Sequence, residues 1–547
     1  MKDALKTVNN PKAAPEKRAK ALLSLMTLEE KTGQLNQRLY GFNIYKREGS
    51  NITLTKEFKE EVARFGGIGT LYGLYRADPW ADKNEETGIN GTMVKKAYNT
   101  VQKYVIENSR LHIPMMVSTE CPHGHQALFG TLLPVNLAVG ASFDPELLKK
   151  AYKECGKELK KANVDLALMS VLDVLRDPRW GRSEECYSED PYLSSKLAYA
   201  AISGMESSGV GAVAKHLCGQ GQTTGGTNAS AAGIGKRELR EIHLPSIKAA
   251  VKAGTSGVMA AYNEIDGIYC HANKELLTDI LRNEYGFKGF VMADGCALDA
   301  LNTVTGDSCK SGAAALKAGV DISLWDRAFT LLPEAVKRGL IKEKDLDRAV
   351  LRVLTFKFAK GLFEHPYIDE EYKEETKSKE MSAALAGETV VLLKNNGVLP
   401  VKKAGKILVT GPNACDIYRQ LGDYTPPVKA EKAFTLLDGI KACCGKETEV
   451  ICLPGSGLFE TNDEMLKEAA EAAKKCDLVI ACVGTSSSRY ESAVFDKNGA
   501  ALKEDKITMD CGEGRDVSEV RLSKAQERLI EALSSTGTKL VTVVISG

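Results

Sequence analysis

Asp294 closes the run Phe287-Lys288-Gly289-Phe290-Val291-Met292-Ala293-Asp294. A carboxylate at the C-terminal tip of a short apolar strand, followed by the small residues Gly295, Cys296 and Ala297, stands where α/β proteins place their chemistry. Polar residues gather behind other apolar runs in the same way: Glu120; Asp173, Arg176, Asp177, Arg179 and Arg182; Lys215 and His216; Tyr262 and Asn263. Acidic, cationic, amide and phenolic groups with few large apolar neighbours suit a ligand dense in hydroxyls, because each hydroxyl both donates and accepts. A sugar fits that description. A phosphate would call for a glycine-rich cradle ending in Lys-Ser or Lys-Thr, whereas the glycines of 219–226 follow a Lys-His pair at the wrong spacing. The sequence has no H-E-x-x-H cluster and no G-x-S-x-G elbow, and its seven histidines are dispersed. Gly455-Ser456-Gly457 lacks the third glycine of a dinucleotide fingerprint. No metal or organic cofactor is implied.

The elements that must hold these groups alternate. Strands are expected at Gly66–Gly73, Ile113–Glu120, Val164–Ser170, Ala212–His216, Gly257–Tyr262, Phe290–Met292 and Val320–Leu324. Helices of 10 to 18 residues separate them, for example Lys95–Asn108, Pro145–Ala162 and Tyr192–Ser208. Such alternation implies right-handed βαβ units and a parallel sheet. Seven strands by Leu324 suit a closed, TIM-like (β/α) barrel better than an open doubly wound sheet. Residues 36–62 read as a polar loop. A barrel domain over 1–362 is therefore expected, then a Pro-, Tyr- and charge-rich linker over 363–380. A second α/β domain follows over 381–547, with a helix at Met381–Gly387 and strands at Val390–Leu393, Lys406–Thr410, Glu449–Leu453, Leu478–Val483 and Lys539–Ile545. A long polar stretch separates the last two strands. The sequence stops two residues after a buried-type strand, so either that strand finishes the domain or the sandwich is truncated at its C-terminus. In the second case a separate C-terminal segment would complete it; a homo-oligomer is the other partner weighed.

With 547 residues, two or three domains are expected. The 73 basic residues nearly balance 72 acidic ones, which argues against a nucleic-acid or anionic-membrane surface. Met1 to Lys17 has no apolar h-region and no 18-residue apolar run occurs, so the expected location is cytoplasmic, with the 14 cysteines reduced.

Several segments carry a resemblance. Asp177-Pro178-Arg179-Trp180-Gly181-Arg182-Ser183-Glu184-Glu185, then Ser188-Glu189-Asp190-Pro191, resembles the DPRWGR-x-EE…EDP segment of glycoside hydrolase family 3. Lys215-His216 is similar to its KH pair, Met259 to Asn263 with Asp266-Gly267 to its SYN…NG stretch, and Gly286 to Asp294 to its GF-x-G-x-V-x-SD strand. Val391-Leu392-Leu393-Lys394-Asn395 and Gly411-Pro412-Asn413-Ala414 resemble segments of its second domain, so the resemblance covers essentially the whole chain.

The resemblance implies a TIM-like barrel followed by an α/β sandwich, and an exo-acting retaining β-glycosidase. Terminal β-D-glucosyl residues are the expected substrate. The alternatives are a β-xylosidase or arabinosidase of the same family, or a non-catalytic sugar-binding relative. It assigns the nucleophile to Asp294 and the acid/base to Glu513 of Cys511-Gly512-Glu513-Gly514-Arg515-Asp516, with Glu491 as the other candidate on the same polar stretch. It carries the sugar-binding role onto Glu120, Arg182, Lys215, His216 and Tyr262. A retaining enzyme needs its two carboxyls about 5–5.5 Å apart. Arg182 or Lys215 would favour the ionised nucleophile, while a Glu on a loop from the second domain can sit in a drier, less cationic place and hold its proton. Three departures stand out. Gly295 and Cys296 follow the nucleophile where the family often has Trp, removing an aromatic wall. Glu120 stands where many members have Asp, and Val517 rather than Arg follows Asp516. The KHFPGHG loop of the N-acetylglucosaminidase branch reads Gln220-Gly221-Gln222 at its His position, which disfavours that branch.

Overall fold

The computed structural model describes residues 2–374, 376–491, 493–502 and 508–547. The chain forms two compact units: Met1–Arg176, Glu185–Thr224 and Ala229–Thr389 make the first, and Asp177–Glu184, Gly225–Asn228 and Val390–Gly547 the second.

The first unit is built on six parallel strands in sequence order: β1 (Thr70–Tyr72), β2 (Met116–Glu120), β3 (Leu166–Ser170), β4 (Gly211–Leu217), β5 (Gly257–Ala260) and β6 (Phe290–Met292). Every one of these residues is buried, as expected for strands covered on both faces. Two irregular segments close the ring. Ile322 bridges Met292 in parallel, and Tyr40 bridges Tyr72 in parallel. Between them the Ser323 N–H donates to the Leu35 carbonyl and the Trp325 N–H to the Gln37 carbonyl, each at 2.9 Å. The barrel therefore has eight staves, and the stave missed in the sequence lies at 35–40, partly inside the stretch read as a loop. Its buried residues include Asn36 and Gln37, whose amides bond to neighbouring backbone, so no apolar alternation marks it.

Helices cover the barrel, among them α1 (Val94–Glu107), α2 (Pro145–Lys161), α3 (Pro191–Ser207), α4 (Leu244–Ala253), α5 (Glu275–Glu284), α6 (Ser308–Ala318) and α7 (Glu343–Ala359). Their starts follow from local chemistry. Asp144 and Asp190 cap α2 and α3 by accepting the Leu147 N–H at 2.9 Å and the Tyr192 N–H at 3.0 Å, with proline in the first turn of each. Such caps contribute about 1 kcal/mol each.

The expected linker is part of this unit. Ile368 exchanges backbone hydrogen bonds with the Asn99 amide at 2.8 and 2.9 Å, and Lys95 donates to the Asp369 carbonyl at 2.7 Å. Helix α8 (Thr376–Glu388), expected in the second domain, buries Leu385 in the first unit's core, and Ser382 donates to the Leu132 carbonyl at 2.7 Å. The boundary thus falls at Thr389. Val390–Leu393 is not a strand: its four apolar side chains are exposed and its backbone is irregular.

The second unit carries a four-stranded parallel sheet ordered β8 (Glu449–Leu453), β7 (Lys406–Thr410), β9 (Leu478–Gly484), β10 (Lys539–Ile545). Alternation along β7 sorts its faces. Leu408 packs with Leu466, Ala469, Leu529 and Leu533 of α10 (Asp463–Ala473) and α11 (Lys524–Ser534), while Ile407 and Val409 pack with Leu437 of α9 (Leu436–Cys443). Helices on both faces make an α/β sandwich. The order reverses between β7 and β9, so the loops after these two strands flank a switch point, where such sheets bind ligands. Among the described residues no helix is long and apolar enough to cross a membrane, and all fourteen cysteines are free thiols.

Candidate active site

In the first unit the expected residues converge at the strand tips. Asp294, two residues past β6, is 8% exposed. Its backbone N–H donates to His271 Nε2 at 3.0 Å, and its Oδ1 accepts the Gly295 N–H at 2.8 Å. Its Oδ2 lies 3.5 Å from His216 Nε2. The other ring nitrogen of His216 meets Asp173 Oδ2 at 2.7 Å, and the same oxygen accepts the His216 backbone N–H at 3.2 Å. A carboxylate accepts, so Nδ1–H donates to Asp173, and Nε2 is turned to a second carboxylate, Asp294. Burial pushes the His271 imidazole down to about 3, with the charge of His216 adding to it. His271 is therefore neutral at working pH and free to accept the Asp294 N–H.

Lys215 points the other way around the site, donating to Glu120 Oε2 at 2.9 Å. Adjacent residues of a regular strand face opposite sides, yet Lys215 and His216 both reach polar partners at the strand tips. The cause is in the register. Ala214 pairs with Val258 and Leu217 with Ala260, leaving one extra residue in β4, and such bulges re-aim side chains beside active sites. Glu120 also accepts from Tyr72 Oη at 3.0 Å. Burial pushes the Tyr72 phenol far up against the opposing charge of Arg76, so Tyr72 stays a donor. Arg76 donates to Tyr72 and is clamped by Asp78 at 2.6 Å. Tyr262 donates to the Gly295 carbonyl at 3.0 Å and so braces the turn after Asp294.

Arg182 is carried by the second unit. The loop Asp177–Glu184 folds with the second unit, where the Gly512 N–H donates to the Gly181 carbonyl at 2.6 Å and the Gly181 N–H to Asp516 Oδ1 at 2.9 Å. A Cβ at Gly181 would stand 2.3 Å from the Gly512 carbonyl, so only glycine allows this approach. The same Asp516 accepts the Asn228 N–H at 2.8 Å, which anchors the loop despite Val517.

The loops after β7 and β9 supply the rest of the second cluster. Glu513, 7% exposed, accepts from Tyr424 Oη at 2.7 Å and lies 3.3 Å from Arg182 Nη1 and 3.8 Å from Arg489 Nη2. Its N–H donates to Asp423 Oδ2 at 3.0 Å. Arg489 clamps Asp423 with two nitrogens, both residues being 2–3% exposed. Burial works to raise the Asp423 carboxyl, but the Arg489 charge and the surrounding donors outweigh it and hold it below its ordinary value. Glu513 is buried, but its setting is not cation-poor: two guanidinium groups flank it. Glu491 is placed elsewhere in this unit, with its Oε1 2.6 Å from Arg419 Nε.

Sequence reasoning missed Tyr72, Arg76, His271, Asp423, Tyr424 and Arg489. Tyr72 could have been found as the last residue of its strand. Asp423 and Tyr424 sit on an irregular loop with no periodic signal.

A (β/α) barrel with clustered acidic, basic and phenolic groups at its strand tips, and an α/β sandwich with a buried carboxyl in the loop after a switch-point strand, suit chemistry on a hydroxyl-rich ligand such as a sugar. Residues 27–356 match the glycosyl hydrolase family 3 N-terminal domain and residues 390–547 its C-terminal domain, and the chain belongs to this family. A β-xylosidase of Formosa agariphila is 31% identical, over 86% of this chain and 67% of its own. Among solved structures, a β-glucosidase from Erythrobacter marinus is 29% identical with a TM-score of 0.84, covering 98% of this chain and 72% of that one. The β-glucosidase from Listeria innocua, solved in complex with glucose, is 26% identical with a TM-score of 0.81, covering 97% and 69%.

Proposed function

We propose that this glycoside hydrolase removes terminal β-D-glucosyl residues with retention of configuration. Asp294 attacks the anomeric carbon and forms a glycosyl ester as the glycosidic C–O bond breaks. Glu513 delivers a proton to the departing oxygen, then takes one from the water that cleaves the ester. The observation that carries this reading is the holding of Asp294: one backbone bond to neutral His271, one carboxylate oxygen on the Gly295 N–H, and the other turned to His216. A nucleophile fixed from both ends loses little freedom on attack. Lys215, Glu120, His216 and Tyr262 bind and orient the sugar hydroxyls, and Arg182 holds Glu513. β-Xylosides are the second reading, favoured by the similarity to the Formosa β-xylosidase.

Incubation with a 2-deoxy-2-fluoro-β-glucosyl fluoride, followed by peptide mass spectrometry, tests the nucleophile. The sugar adduct is expected on the peptide holding Asp294, and an adduct on another carboxylate overturns the assignment. Azide is expected to restore turnover to Glu513→Ala and not to Glu491→Ala; the reverse pattern moves the acid/base to Glu491.

A further inference from the structure

The turn after Asp294 is glycine for a reason visible in the structure. A Cβ on Gly295 would stand 2.4 and 2.6 Å from Cζ3 and Cε3 of Trp325, so the indole already fills the space a side chain there would need. Trp325 comes from the tip of the eighth stave, after Ile322, and its ring lies beside both Gly295 and Tyr72. One edge lies over Gly295, beside Asp294. The ring also packs T-shaped with Tyr72, at 4.8 Å between centroids and 87°, and Tyr72 is the donor to Glu120. Tyr40 at 4.9 Å and Trp80 at 5.5 Å back it.

Two further observations point to a ligand. The Trp325 backbone has φ 64°, a left-handed conformation that is costly for a bulky residue and tends to be kept where function needs it. The strain is held by its N–H bond to the Gln37 carbonyl. The indole Nε1–H is also buried without a hydrogen-bond partner, although buried indole N–H groups usually find one.

We propose that Trp325 is the aromatic wall of the sugar subsite, taking from the eighth stave the place that a Trp directly after the nucleophile would hold. It therefore sets the choice between hexosyl and pentosyl glycosides. The ring offers its face to the apolar C–H surface of a pyranose and Nε1–H to a sugar hydroxyl. Gly295 and Trp325 form one exchangeable pair, because a Trp at either position excludes a Trp at the other. This proposal rests on the hydrolase reading above.

The test uses p-nitrophenyl β-glucoside and β-xyloside with the full chain. Losing one stacking contact and one hydrogen bond, Trp325→Ala is expected to lower kcat/KM about 10- to 50-fold. The loss should fall mainly on KM, and the glucoside-to-xyloside ratio should change at least about fivefold. Gly295→Trp is expected to be nearly inactive, and Gly295→Trp with Trp325→Gly to recover at least about tenfold over it. Glucose is expected to change the tryptophan fluorescence of the wild type and of Trp80→Phe, but not of Trp325→Phe, which retains the packing. The proposal is overturned by a Trp325→Ala enzyme within twofold of wild type on both glycosides. A double variant no better than Gly295→Trp overturns it too, as does a glucose response that survives Trp325→Phe. A wild type silent on both glycosides refutes the hydrolase reading instead, and the glucose titration then decides the role of Trp325 by itself.

Discussion

Asp173 touches no reacting atom in this scheme, yet the geometry gives it a measurable share of the rate. It stands behind His216, accepting both the ring Nδ1–H at 2.7 Å and the backbone N–H at 3.2 Å. It thereby fixes the ring tilt that turns Nε2 to Asp294. In Asp173→Asn the amide oxygen can still accept, so the loss is the difference between a charged and a neutral acceptor, about 1–1.5 kcal/mol. At 1.4 kcal/mol per tenfold, kcat/KM on an aryl β-glucoside should fall about 5- to 15-fold. Asp173→Ala leaves two buried donors without an acceptor, about 2–3 kcal/mol, for a fall of about 30- to 150-fold. Nitrogen-15 NMR of the histidine rings gives the independent readout. The His216 Nδ1 signal should be that of a protonated, hydrogen-bonded nitrogen in the wild type and lose that character in Asp173→Ala. An Asp173→Asn enzyme within twofold of wild type, or an unchanged His216 spectrum in Asp173→Ala, would refute the positioning argument.

Two further outcomes concern stability. Lys357 is fully buried, donating to Gln34 Oε1 and the Pro114 carbonyl at 2.7 Å each, and burial pushes its amine down to about 7 against the smaller opposing charge of Asp165. The unfolded chain keeps this proton up to the ordinary lysine range while the folded one releases it near 7. The folded state therefore gains stability as pH rises from about 7 to about 10. Thermal melts should show this rise, and Lys357→Met should flatten it. Leu385 of α8 is fully buried in the first unit, so Leu385→Ala should cost about 2–5 kcal/mol in urea unfolding. The exposed Val391→Ala should cost under about 0.5 kcal/mol.

The residues that announced themselves in the sequence share one trait: they lie at or just past the ends of buried strands. Asp294, Glu120, Lys215, His216 and Tyr262 follow apolar runs whose burial dictates the strand, so the tip is dictated too. The stave at 35–40 was hidden because its interior is amide and backbone, not apolar alternation. The segment around Ile368 has the composition of a linker, yet its backbone bonds to Asn99, a contact across the sequence that no local composition records. Val390–Leu393 has the composition of a strand without a partner for its backbone. Arg182 lies between two barrel strands in the chain, yet its loop folds with the second unit. Its actual place depends on Gly181 meeting Gly512, far along the sequence. The cation-poor setting expected for Glu513 failed for the same reason, since Arg182 and Arg489 arrive from separate segments.

The chain passes into the second unit at Asp177 and again at Gly225, long before it stays there from Val390. No single cut can therefore divide this protein into two autonomous fragments. A piece starting at Val390 would lack the strand of backbone that bonds Gly512 and Asp516, and a chimera with a relative's sandwich would have to carry three exchanged segments, not one. During synthesis Gly181 must wait for Asp516, 335 positions later. Closing so long a loop is slow, so the Glu513 cluster should be among the last parts of the molecule to order as it leaves the ribosome.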